Sequence, residues 1–567
     1  MALFADFLVN VWRGVRNVYA RLSKRAPDYI VLDVGGSLPE FESRVGFVRR
    51  RLSPRASEAS LEGLRTRLKR ISDDGRVRGI VLRIQGLNAG WASLEELRAE
   101  IAAFRRKGGR VVAYLIEADS GAYYLACAAD EVLATPLATL GVVGIRTRTD
   151  FLKDGLERAG VEAEVFAVSP YKSAGDRFAR RDFSPEAREQ AERLQDCRYE
   201  ELVRAISEGR NLGPDEVRRK IDGAPYGTKE ALSEGLLDGV CYEDELPGRL
   251  GAGGRAEVSE WDASAGSLRM PYRKSGGKRV GVVSLSGTIV RGKSRKLPLP
   301  LPLFGQEQAG SESVVAALRM AEKNRRVASV LFYVDSRGGD SLASDLIWRE
   351  VGRVNAKKPV VVLMGEAAAS GGYYVSASAS HIVARRNTIT GSIGVISLRP
   401  VAVNLYEKLG VNPVAIERGA HSGLGDPGRA SSEEEAEVFR RQVQTAYAEF
   451  KDRVTLGRGI DAARLESIAG GRVWTGGEAH EHGLVDEVGG YREALGKARE
   501  LAGIDKDAPG DPVKISPPKS GRPAPGDPSE APAEAVRAAF DVARVLLDEV
   551  RGSGTWAIAP YTFYEDS

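Results

Sequence analysis

The chain has 567 residues, 43% of them apolar and 28% charged, with a formal net charge of +4. That length exceeds what one hydrophobic core organises and predicts two domains or more, while ordinary composition and a mildly basic balance give no reason to expect nucleic acid. Three cysteines (Cys127, Cys197, Cys241) without a C-x-x-C pair argue against a disulfide framework, and His480 and His482 at i, i+2 do not converge on a metal, so buried free thiols and no metal are expected.

In chain order, residues 1–27 come first as an amphipathic helix. Leu3, Phe4, Phe7, Leu8, Val11, Val15, Val18, Tyr19 and Leu22 share one face, and Asp6, Asn10, Arg13, Asn17, Arg21 and Lys24 share the other. An apolar stripe with Trp12 and a basic polar face reads as an interfacial helix on anionic lipid, and equally as a helix packed on its own protein or a neighbouring subunit. There is no run of about twenty uncharged apolar residues and no cleavable signal pattern. The expectation is peripheral or interfacial membrane association, the side of the membrane left open.

Residues 28–245 and 278–500 read as two copies of one unit. Apolar runs such as "GIVLRI" and amphipathic stretches such as "SLEELRAEIAAFRRKGGRVVAYLI" alternate in the first, which predicts βαβ units and an α/β fold with a largely parallel sheet. At an offset of 250, Ser120-Gly121 with Tyr123-Tyr124 falls on Ser370-Gly371 with Tyr373-Tyr374. Gly141 falls on Gly391, Gly144 on Gly394, and Gly160-Val161 on Gly410-Val411. Residues 246–277 are Gly-rich and read as the linker between copies. The second copy carries a Pro- and Leu-rich insertion at 291–312, read as a loop; such loops can flank a substrate groove or an oligomer contact, and most do neither. Eight of the 26 prolines fall in 509–532, so 501–532 reads as a disordered linker, and 533–567 as a terminal helix and tail.

The chemistry is divided between the copies. A serine hydroxyl needs a base to remove its proton and backbone N–H groups to hold the oxyanion. Ser370 is followed by Gly371 and Gly372, which predicts a strand-to-helix turn with the Gly371 N–H as one donor. "DSRGGDS" offers a second through Gly338 or Gly339. The first copy has "QGLNAGW" there and Ala122 in place of Gly372, so Ser120 is the poorer nucleophile. No histidine is placed for a triad: His381 is expected on a helix continuing from Ser370, and His421 lies in a Gly-rich loop. Lys172 of "SPYKSAGD" falls on Ser422, and Asp176 on Asp426. The copy with the better serine therefore lacks the lysine, and a dyad of Ser370 and Lys172 across the copies reconciles both losses. Alone, a Ser-Gly pair is a helix cap and a lysine a surface charge.

The segments "DSRGGDS", "ASGGYYVSASASHIVARRNTITGSIGVI", "PYKSAGDRFARRDFSPEAREQ" and "GRVWTGGEAHEHGLVDEVGG" resemble the long, duplicated form of the signal peptide peptidase A (protease IV) family over residues 28–500. The resemblance implies a Clp-protease-like, crotonase-related fold in each half. It also implies a cofactor-independent serine peptidase with Ser370 as nucleophile, Lys172 as general base and Ser392 as the hydroxyl orienting the lysine. Signal peptides and other apolar peptides as substrates, and a tetrameric bowl, are implied with it. The amphipathic N-terminus departs from the family's anchoring helix. An acyl-thioester enzyme of the crotonase type and a silent membrane scaffold stand as alternatives.

Overall fold

The structure, a computed structural model, describes residues 2–23, 25–42, 59–272, 277–301, 305–505, 510–517 and 556–558. Two parallel sheets form its two halves. The first orders its strands Val258–Glu260, Tyr29–Gly36, Gly79–Leu87, Arg110–Leu115, Glu131–Ala134 and Gly239–Val240. The second has the path Val473–Thr475, Ile389–Gly391, Val360–Ala369, Val327–Ser336, Arg279–Ser286 and Val513–Lys514, with only its Val473–Thr475 edge antiparallel. Strands Tyr29–Gly36, Gly79–Leu87 and Arg110–Leu115 match Arg279–Ser286, Val327–Ser336 and Val360–Ala369 in order and in neighbours, so the duplication legible in the sequence is a duplication of the fold.

The strand sequences explain the layers. Runs such as Val330–Val334 and Val360–Met364 are buried on both faces, as in a parallel sheet covered by helices above and below. In helix Trp91–Arg106, Leu94, Leu97, Ile101 and Phe104 are buried at helical spacing while its Arg105–Arg106 end reaches solvent.

The halves are locked by buried charge. Arg385 of the second half meets Glu40 at 2.5 Å and Glu96 at 3.0 Å, and Arg65 contacts both glutamates at 2.9 Å. Glu366, also of the second half, accepts from the Ala92 and Ser93 N–H groups (3.2 and 2.6 Å) that open helix Trp91–Arg106. A carboxylate there satisfies orphan donors and opposes the helix dipole. Loss of one partner from such a buried pair leaves an uncompensated charge, a cost of about 3–5 kcal/mol.

A third sheet draws on both halves. Its order is Arg295–Leu301, Gly305–Gly310, Thr288–Val290, Gly338–Asp340, Trp556–Ile558, Ile396–Val401 and Glu162–Ala167. The last pair runs antiparallel from Ile396 opposite Ala167 to Val401 opposite Glu162. Through it, a segment of the first half crosses onto the second.

Several sequence expectations change. Strand Val258–Glu260 of the expected 246–277 linker completes the first sheet, and Val513–Lys514 of the Pro-rich stretch completes the second, because each finds an open parallel edge. The 291–312 insertion is a hairpin, not a loop, its strands pairing antiparallel from Arg295 opposite Gln308. The helix after Ser370 ends at Ser376, and His381 opens a strand with its Nε2 3.1 Å from Glu487. Cys127 and Cys241 are buried but Cys197 is only half-buried. The expected helix at 533–550 lies outside the described residues.

The N-terminal helix Ala2–Ser23 sits the other way round from an ordinary packed helix. Its polar side docks: Arg16 Nη2 donates to Gly266 O at 3.0 Å, and Asn17 exchanges bonds with the Met270 backbone at 3.0 and 2.8 Å. Phe7, Leu8, Val11, Trp12, Val15, Val18 and Tyr19 are left exposed. Among the described residues, no helix is long and apolar enough to cross a membrane.

Candidate active site

Ser370 stands between strand Val360–Ala369 and helix Gly371–Ser376 with φ 55° and ψ −115°. A non-glycine residue rarely adopts that conformation, and it holds only because both neighbours are fixed. The Ser370 N–H donates to Gly391 O at 2.8 Å and the Ser370 carbonyl accepts from Tyr374 N at 2.8 Å. The two glycines that follow are required by close approach. A Cβ at Gly371 would lie 2.7 Å from Ser344 Oγ and 3.1 Å from Gly338 Cα and Gly339 N, and one at Gly372 would lie 2.5 Å from Ser336 O. Small side chains thus bring the start of this helix against strand Gly338–Asp340, where φ is 110° at Gly338 and 158° at Gly339.

Lys172 arrives from the first half. Strand Glu162–Ala167 carries the chain along Ile396–Val401, the Val168 N–H donates to Val395 O at 3.2 Å, and Lys172 follows in the next turn. Its Nζ lies 2.7 Å from Ser370 Oγ, 2.8 Å from Ser392 Oγ and 2.9 Å from Ser392 O. Ser392 is itself held at φ 51°, its N–H donating to Arg472 O at 2.6 Å. Lys172 is 1% exposed and Ser370 and Ser392 are 0% exposed. Burial alone pushes the lysine well below its ordinary pKa, with no carboxylate opposing it. Asp176 makes its own contact with Ser184 and is raised by burial.

The structure places Ser370, Gly371 and Lys172, which the repeat comparison singles out, beside Ser392, which the family resemblance implies. Of the two loop glycines, Gly338 N–H already donates to Ser336 Oγ at 3.1 Å. Two further glycines pack on the lysine: a Cβ at Gly471 would lie 2.6 Å from Lys172 Cβ, and one at Gly394 3.2 Å from its Cδ. The repeat signal of Gly144 over Gly394 pointed to one of them, whereas Gly471 had no signal before the fold was known. In the first half Ser120 is differently placed. It is the first residue of helix Ser120–Ala126, Asp119 caps that helix, and Ser120 Oγ donates to Gly144 O at 2.6 Å. Among the described residues, no group of three His, Cys, Asp or Glu side chains is placed to hold a metal.

The arrangement can do one kind of chemistry well. A buried hydroxyl against a desolvated amine is an activated nucleophile, and backbone N–H groups at a helix start are its natural companions for a developing oxyanion. Comparison with known proteins agrees with the duplication. The profile of peptidase family S49 matches residues 103–253 and 353–505. The chloroplastic serine protease SPPA of Arabidopsis thaliana is 33% identical over 82% of this chain and 69% of its own length. Protease 4 of Haemophilus influenzae is 29% identical over 78% and 72%, and Protease 4 of Salmonella typhi 28% over 88% and 83%. A solved ClpP1 mutant of Listeria monocytogenes aligns over 38% of this chain and 94% of its own at 14% identity, with a TM-score of 0.25, too low to bear on the fold.

Proposed function

This chain belongs to peptidase family S49, and from that premise we propose that it is a serine endopeptidase with a Ser370–Lys172 dyad, cleaving extended apolar peptides such as spent signal peptides. The observation that carries the reading is the 2.7 Å contact between Lys172 Nζ and Ser370 Oγ in a site with no competing charge. A neutral amine has one lone pair and two N–H bonds. The lone pair accepts from the Ser370 hydroxyl, and the two N–H bonds donate to Ser392 Oγ and Ser392 O, so every valence is used.

The reaction follows from that arrangement. Ser370 Oγ attacks the substrate carbonyl carbon while its proton passes to Lys172 Nζ. The oxyanion is held by the Gly371 N–H and one from the Gly338–Gly339 strand, Gly339 being favoured because the Gly338 N–H is already engaged. Lys172 then gives the proton to the departing amine nitrogen, leaving an ester on Ser370; it next takes a proton from the attacking water and returns it to Ser370 Oγ as the acid departs, which restores the neutral amine. No cofactor enters any step. An acyl-thioester reaction would have no use for a desolvated lysine against the hydroxyl, and a silent scaffold no use for either. Purified protein should cleave casein, and a fluorophosphonate should attach to Ser370 with cleavage lost in proportion to labelling. Casein left intact, or inactivation with the label on another residue, would dismiss the reading.

Membrane contact and self-association belong to the same proposal. The exposed apolar stripe from Phe7 to Tyr19 supports an interfacial helix, since its polar side is already bound to residues 266–271. Exposed Leu409, Val414 and Ile416 support a contact between copies, expected as a tetramer. Deleting residues 2–25 should release the protein from anionic vesicles and leave cleavage of a soluble peptide unchanged. Undiminished vesicle binding by the shortened chain would return that helix to packing alone.

A further inference from the structure

Asp335 takes no part in the proton transfers, yet it sits where the two strands that build the site part company. Strands Val327–Ser336 and Val360–Ala369 pair in register from Val330 opposite Val360 to Val334 opposite Met364, and the ladder resumes at Ser336 opposite Ala368. Between those points the single residue Asp335 spans residues 365–367, a bulge in the strand that leads into Ser370. A bulge leaves backbone groups without ladder partners, and side chains take them over here. The Gly365 carbonyl accepts from Thr388 Oγ1 at 2.8 Å, and the Ala367 N–H donates to Asp335 Oδ1 at 3.1 Å. Tyr333 OH donates to Asp335 Oδ2 at 3.4 Å, and the Asp335 carbonyl accepts from the Gly287 N–H at 2.9 Å. The fit is close: a Cβ at Gly365 would lie 2.5 Å from Tyr333 OH and 2.8 Å from Asp335 Cβ and Cγ.

The place of the Asp335–Ala367 bond decides what it controls. Three residues beyond Asp335 the chain reaches Gly338, in the strand that offers an oxyanion N–H, and three residues beyond Ala367 it reaches Ser370. Catalysis needs the hydroxyl and the N–H donors in one fixed relation, and a displacement of about 1 Å costs about a hundredfold in rate. Slack is small where the two segments meet again, since a Cβ at Gly372 would lie 2.5 Å from Ser336 O. We infer that Asp335 is a positioning residue: through the Ala367 N–H, its carboxyl oxygen fixes the offset between the strand leading to Ser370 and the strand leading to Gly338–Gly339. The inference rests on the peptidase reading for the reaction served, and on geometry for the contact itself.

The role is that of an acceptor, not of a charge. Burial and Glu366 push the Asp335 carboxyl up to about 6, against the Ala367 N–H, Arg337 and Arg385, which favour the ionised form. Ionisation is disfavoured there, while the need for an oxygen facing Ala367 remains. An asparagine amide oxygen meets that need without charge, its Nδ2 facing Tyr333 OH. Leucine fills similar volume with no acceptor and leaves the Ala367 N–H orphaned. Glu366 of the same bulge holds the Ala92 and Ser93 N–H groups, so the bulge also joins the contact between the halves to the site.

The test compares the parent with Asp335→Asn and Asp335→Leu, folding being checked by circular dichroism. A fluorophosphonate reads nucleophile and oxyanion donors together, because the Ser370 Oγ–P bond forms as P–F breaks, fluoride leaves and the hydroxyl proton passes to Lys172. Labelling of Ser370 should be about a hundredfold slower in Asp335→Leu and restored to within about threefold of the parent in Asp335→Asn. Equal rates in all three, an Asn variant as slow as the Leu variant, or labelling absent from every form would overturn the inference. On a short peptide the loss should fall on kcat with KM unchanged, since a bound substrate in its ground state gains little from the oxyanion donors. A loss confined to KM overturns positioning. Where Asp335→Leu does not fold, Asp335→Ala removes the acceptor without adding bulk and should be slowed at least about tenfold. Labelling in the expected order, with no peptide cleaved by any form, would remove the peptidase reading and leave the role of Asp335 standing.

Discussion

Ser370→Ala is expected to lose peptide cleavage by at least about a thousandfold, the scale on which removal of a covalent nucleophile is felt. Ser120→Ala should keep most of the activity. The two serines match in sequence but differ in what surrounds them. Ser370 is held at positive φ with its hydroxyl 2.7 Å from Lys172, whereas Ser120 is the first residue of a helix with its hydroxyl donated to the Gly144 carbonyl. Neither change should unfold the protein. Alanine at 370 meets the same backbone strain as serine, and Lys172 keeps both Ser392 oxygens as partners. Comparable losses in the two variants, measured on one peptide with folding checked by circular dichroism, would refute the division of labour between the halves.

The meeting of Ser370 and Lys172 across the halves was legible because duplication makes a sequence its own control. Each copy kept what the other lost, and an offset of 250 was enough to align Ser120 with Ser370 and Lys172 with Ser422. The β-branched runs and helical stripes likewise gave the two parallel sheets, since burial on both faces leaves a compositional mark. What stayed hidden was pairing between segments far apart in the chain. "EAEVFA" and "ISLRPV" are half-polar strands whose partnership between residues 162–167 and 396–401 has no local signature, yet it is what delivers Lys172. The Arg385–Glu40–Glu96 cluster was invisible for the same reason: each residue, read alone, is a surface charge. The three-residue strands at 258–260 and 556–558 are too short for any periodicity, and only an open sheet edge gives them a structure. The first helix was read correctly as amphipathic, but a sequence pattern does not say which face docks.

Lys172→Ala and Lys172→Arg are both expected to fall by at least about a thousandfold, because the role requires an amine that can be neutral. At pH 7 an ordinary lysine is free base in fewer than about one molecule in a thousand. Lys172 is fully buried among hydroxyls and a carbonyl, and burial lowers its pKa well below the usual value of 10.5. The rate should therefore rise with pH through an apparent pKa far below that of free lysine. Stability carries the same signature. Between the depressed folded value and the ordinary unfolded one, the unfolded chain binds the extra proton, so stability rises with pH across that window and is lost as pH falls through it. Lys172→Met removes the titration while filling similar volume. It should be inactive yet at least as resistant to heat as the parent at pH 7, with its advantage shrinking as pH approaches 10. That variant also separates chemistry from folding, since an arginine confined at 172 would bring a permanent charge into a site with no counter-ion. Substantial activity in Lys172→Arg, or a melting difference between Lys172→Met and the parent that does not change with pH, would exclude a neutral Lys172 as the base.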